Sequence, residues 1–62
     1  MKNIKDYNLE ELKEELKSIG EKPFRAEQIF KWLYQDKVKS FDDMTNLSLE
    51  LREKLKENYT IC

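Results

Sequence analysis

Histidine is absent from this 62-residue chain, and cysteine, glycine and proline occur once each. With no histidine, and with Cys62 as the only thiol, no Cys/His metal site, internal disulfide, or Ser/His or Cys/His nucleophilic pair can be assembled. No apolar run approaches the ~18 residues that a membrane helix needs, and no apolar segment with a small-residue cleavage site follows Met1. These absences read as a soluble, cytoplasmic chain with no membrane partner. Charge of one sign is missing as well. Twelve basic and thirteen acidic side chains leave a net charge of -1, so any case for an anionic partner has to come from local placement.

What the chain does have is charged and apolar side chains in nearly equal measure, 40% and 39%. The apolar residues recur at helical spacing, which predicts an all-α fold: a small three-to-four-helix bundle, helix-hairpin-helix-like in its first half. A domain of this length buries only ~60% of the surface its unfolded chain exposes, so one modest core is the most it can build. Residues 1–8 read as a polar N-terminal tail, frayed over residues 1–6, residues 9–59 as the helical domain, and residues 60–62 as the start of an extended segment.

Within the domain the caps are legible. Asn8, with Glu11 three residues on, has the form of a capping box, and Tyr7 and Leu12 stand where a hydrophobic staple would. Leu9, Leu12, Leu16 and Ile19 make one stripe, and Gly20 is suited to end the helix in a left-handed conformation. A second helix is predicted from near Phe24, with Ala26, Ile29, Phe30 and Leu33 in one arc and Trp32 and Tyr34 flanking it. Gln35 to Lys39 reads as a polar linker. Ser40 then caps a short turn whose acids, Asp42 and Asp43, sit where the helix dipole favours them. Ser48 caps a last helix, to about Asn58, that buries Leu51, Leu55 and Tyr59.

Lys22 and Arg25 would stand beside the outward-pointing backbone N–H groups of the second helix, a grip for one phosphate. Arg25, Gln28 and Trp32 follow at i, i+3 and i+7, a stripe that can serve phosphates, base edges and base stacking together. Residues 20–39 hold five basic and three acidic side chains and form the only net-positive third, between flanks of net -1 and -2. The candidate RNA-binding set is therefore Lys22, Arg25, Gln28, Lys31, Trp32, Lys37 and Lys39. The competing reading of the same residues is structural. It puts Trp32 in the core, pairs Arg25 with Glu21 or Asp36, and makes the excess charge a solvated helix face. No residue is a catalytic candidate, and Asp42 and Asp43 read as first-turn acids with no partner ligand nearby.

Two motifs carry a family resemblance: Gly20-x-x-x-Phe24-Arg25-Ala26-x-Gln28-Ile29-x-x-Trp32-Leu33-Tyr34, and Phe41-x-Asp43-Met44-Thr45-Asn46-Leu47-Ser48-x-x-Leu51-Arg52-x-x-Leu55. In that order and spacing they resemble the start of the RlmN family, radical-SAM methyltransferases acting on C2 of adenine in 23S ribosomal RNA and in some tRNAs. The related Cfr enzymes, which methylate C8, start similarly. The resemblance runs from about Leu9 to Ile61 and implies a helical accessory domain that helps a larger enzyme engage 23S rRNA and tRNA. It implies a further partner in that enzyme's own catalytic domain, a partial (β/α) barrel. There the family holds a [4Fe-4S] cluster on Cys-x-x-x-Cys-x-x-Cys, binds S-adenosylmethionine and uses two more cysteines. None of those cysteines is in this sequence and Cys62 matches none of them, so no cofactor is expected in this chain. Two alternatives stay open. One is a structural module that packs on the barrel without touching RNA; the other is a helix-hairpin-helix-like DNA binder, against which the missing second hairpin glycine counts.

Overall fold

Asn8 opens the first helix, α1 (Leu9–Ser18), through the reciprocal pair its sequence predicts. The Glu11 N–H donates to the Asn8 side-chain oxygen at 2.8 Å, and the Asn8 N–H donates to the Glu11 carboxylate at 2.9 Å. The helix closes at Gly20, with φ 80°, where the Glu21 N–H reaches the Leu16 carbonyl at 2.8 Å and the Gly20 N–H that of Lys17 at 3.1 Å. A glycine enters that left-handed conformation without Cβ strain. The chain turns at Pro23 into α2 (Arg25–Phe30), which runs on without a break as a π-helical turn over Lys31–Gln35. Ser40 and Ser48 then act as the predicted caps. Their hydroxyls accept from the N–H of Asp42 at 3.2 Å and of Leu51 at 3.1 Å, starting a 3-10 turn (Phe41–Asp43) and α3 (Leu49–Asn58).

This computed structural model describes all 62 residues, and every helix buries the face that its apolar spacing marks. Leu12 and Leu16 come from α1, Ala26, Ile29 and Leu33 from α2 and its extension, and Leu51 and Leu55 from α3. Phe41, Met44 and Leu47 close the core between the second and third helices, and Tyr59 joins it from the end of the third. No charged or other polar residue is buried. Each of these leucines gains roughly 1.5–3 kcal/mol by leaving water, so the single core accounts for the fold. No helix is long and apolar enough to cross a membrane.

Residues 1–8 correct the expected frayed tail. Lys2–Asn3 forms a strand, β1, paired in parallel with β2 (Tyr59–Thr60), so that Lys2 lies beside Tyr59 and Asn3 beside Thr60. Ile4 follows in a 3-10 turn (Ile4–Asp6), fully buried, with Asn3 capping that turn by accepting from the Lys5 N–H at 3.0 Å. The reason is one side chain. A lone isoleucine in a polar hexapeptide gives no periodic signal, yet the core has room for it and the ribbon satisfies the backbone around it. The extended segment expected from residue 60 starts at Tyr59 and is part of the same ribbon. The expected boundaries at 8/9 and 59/60 therefore fall inside one folded unit.

Candidate nucleic-acid interface

The backbone grip expected at the start of α2 is absent in that form. The Arg25 N–H donates to the Lys22 carbonyl at 3.1 Å and the Ala26 N–H to that of Pro23 at 2.9 Å, because the chain enters α2 through a tight turn. Side chains remain. Arg25 is half-buried, and its Nη1 donates to Gln28 Oε1 at 2.8 Å while the guanidinium lies 4.8 Å from the centre of the Phe24 ring. Gln28 is neutral, so this bond aims the guanidinium without cancelling its charge. Neither carboxylate that could have paired with Arg25 does so: Glu21 is taken by Lys54 at 2.8 Å, and Asp36 makes no ion pair. Lys22 is exposed and unpaired, and Lys31 is unpaired although Glu27 precedes it by one helical turn.

Trp32 is half-buried. The indole packs partly against the core, and its Nε1 donates to Asn46 Oδ1 at 2.6 Å. That bond joins the two sequence motifs to each other. A half-buried indole N–H wants a partner, and Asn46 supplies one from the loop before α3. The second motif also ties its own turn to α3: Arg52 Nη1 donates to the Asp42 carbonyl at 3.1 Å, and Lys56 pairs with the Asp42 carboxylate at 2.9 Å. Asp42 is thus a structural anchor.

Lys37 and Lys39 stand round a pocket of ≈ 460 Å³ that Arg25 does not line. Lys5 joins them there, a residue outside the expected set, together with Tyr34, Val38 and Ile61. No acidic side chain lines this pocket. Lys37 sits at φ 55°, where the π-helical turn ends with the Val38 N–H on the Trp32 carbonyl at 3.1 Å. A non-glycine residue pays about 1 kcal/mol for that conformation.

The remaining lysines behave differently. Lys2 meets Glu15 at 3.6 Å, Lys13 meets Glu10 at 3.5 Å, and Lys17 meets Glu14 at 3.0 Å. The hydrogen bond to Glu21 raises the pKa of Lys54, and that to Asp42 raises the pKa of Lys56. Tyr59 donates its hydroxyl to Glu15 at 2.7 Å, and burial, with this bond second, pushes its pKa well above the ordinary tyrosine value.

Nothing in the chain suits a metal or iron–sulfur cluster. Cys62 is exposed and alone, and no three His, Cys, Asp or Glu side chains converge. What fold and surface define is a small helical domain whose α1 and α3 lysines are ion-paired and whose cations between Gly20 and Lys39 are not. The family model described as the ribosomal RNA large subunit methyltransferase N-terminal domain matches residues 2–61, and the chain belongs to that family. A probable dual-specificity RNA methyltransferase RlmN of Bacillus pumilus is 59% identical over 61 residues, covering 98% of this chain and 17% of the relative. Its counterpart in Bacillus velezensis is 56% identical over 59 residues, covering 95% and 16%. A solved radical SAM methyltransferase from Sphaerobacter thermophilus is 34% identical with a TM-score of 0.93, over 98% of this chain and 18% of that one. The chain thus spans less than a fifth of the proteins it is similar to.

Proposed function

We propose that this domain docks RNA for a radical-SAM methyltransferase that modifies adenine C2 in 23S rRNA and in tRNA, and does so in the cytoplasm. Catalysis, S-adenosylmethionine and the [4Fe-4S] cluster belong to the rest of that enzyme, for which these residues have no ligand set. One observation carries the reading: none of Lys22, Arg25, Lys31, Lys37 and Lys39 has a carboxylate partner within 4.0 Å, although acidic residues outnumber basic ones in the chain. Unpaired cations on a small domain attract a polyanion, and release of its counterions supplies the affinity.

The test is a titration of the isotope-labelled 62-residue chain with 23S rRNA and tRNA fragments at low salt. Amide shifts should gather in residues 20–39 and fade steeply as salt is added. A chain whose amides stay still in every RNA titration is not an RNA-docking domain. A second reading, packing on the catalytic domain, draws on exposed Phe24 and Leu49, which are 54% and 61% accessible. Under that reading Arg25→Ala lowers the melting temperature of the complete enzyme and leaves its RNA affinity unchanged.

A further inference from the structure

We propose that the pocket between the Ile4–Asp6 turn, the π-helical turn with the loop after it, and Ile61 holds one unpaired RNA nucleotide, its base beside Tyr34 and its phosphates among Lys5, Lys37 and Lys39. This rests on the RNA-docking reading and gives it a second contact, built from different residues than the Arg25–Gln28 pair. At ≈ 460 Å³ the pocket falls in the size range of small-molecule sites, and Leu33, Val38 and Ile61 give it an apolar floor. Three lysines stand round that floor with no Asp or Glu side chain among the lining residues and no ion pair of their own. An apolar floor under a cationic rim matches a flat base joined to phosphate.

Tyr34 supplies the geometry for stacking. The residue is 48% exposed and yet its ring is held: the hydroxyl donates to the Lys5 carbonyl at 3.3 Å, and the ring meets Phe30 at 5.1 Å and 64°. A ring already fixed loses little freedom when a base lies against it. Lys37 adds a second sign. It occupies the left-handed region at φ 55°, a strained place for a side chain that the helix end alone would give to glycine. Bases inside an A-form duplex are stacked and edge-hidden, so the occupant is an unpaired nucleotide.

The test titrates the labelled chain at low salt with a single-stranded oligoadenylate hexamer, an RNA duplex of equal phosphate count, inorganic phosphate, and an acidic polyglutamate peptide. The hexamer should shift Val38, Ile61 and the Tyr34 ring and slow alkylation of exposed Cys62. Tyr34→Ala should weaken the hexamer about tenfold, with duplex binding almost unchanged and Tyr34→Phe retaining most of the affinity. Lys37→Gly removes a cation and relieves the backbone, so the fold survives while the slope of log K against log salt falls by about 0.7. Hexamer shifts confined to residues 22–32 would overturn the pocket and leave RNA docking standing; silence towards every RNA would remove both. Polyglutamate shifting the pocket as strongly as the hexamer, with no effect of Tyr34→Ala, would make it a docking point for an acidic protein and overturn the nucleotide.

Discussion

The lysines of α1 and α3 and the cations of residues 20–39 live under different rules. Lys13, Lys17, Lys54 and Lys56 all sit within 3.5 Å of a carboxylate, mostly one placed three or four residues earlier. Between Gly20 and Lys39 no cation does. The near-zero net charge is therefore a sum of two unlike surfaces, one that neutralises itself and one that does not. Exposed pairs of this kind add only ~0–1 kcal/mol each to stability. Their larger effect is to occupy the lysines of two helices, which leaves the cations without an ion pair mostly in residues 20–39.

The comparison breaks most severely where the neutralised side is tied shut. Ile4→Ala should cost about 2–4 kcal/mol by denaturant unfolding, because it empties a fully buried position beneath the ribbon; a cost below ~1 kcal/mol would return residues 1–8 to the status of a tail. Alkaline pH comes next. The neutral phenol of Tyr59 and the charged Lys54 both have raised pKa values in the fold, so their stabilisation is complete below the ordinary values near 10 and is lost as pH climbs beyond them. Unfolding free energy should fall from about pH 10 upward, and Tyr59→Phe should flatten much of that slope. A smaller change would abolish the contrast itself: Gln28→Glu puts a carboxylate where Arg25 already donates, and should weaken RNA binding about fivefold at low salt with stability unchanged or slightly raised. The smallest effect belongs to Lys17→Ala, which should move stability by less than ~0.5 kcal/mol and RNA affinity hardly at all. If Lys17→Ala weakened RNA binding as much as Gln28→Glu, pairing would not be what separates the two surfaces.

Local signals were legible from the residues, and closures were not. Asn8 with Glu11, Gly20, Ser40 and Ser48 each act within a few residues, so type and spacing were enough to place the helix ends. The ribbon needs Lys2 and Tyr59 from opposite ends of the chain, and two-residue strands have no alternation to display. The π-helical turn over Lys31–Gln35 was hidden for another reason: Ile29, Phe30 and Leu33 fit an ordinary helix equally well. At the candidate site the same division holds. Arg25 and Gln28 meet because three residues make one turn of helix, and the spacing announced it. Lys5 reaches Lys37 and Lys39 only because Ile4 is buried and the ribbon closes, and nothing near Lys5 in the chain points there. Trp32 carried an ambiguous signal, and its bond to Asn46 turns it towards holding the fold.

The parallel sense of the ribbon has a mechanical consequence. A pull backwards on Lys2 and forwards on Thr60 would slide the two strands along each other, loading their cross-links together in shear instead of opening them singly like a zipper. The helices between would stay out of the line of force until that clasp gave way.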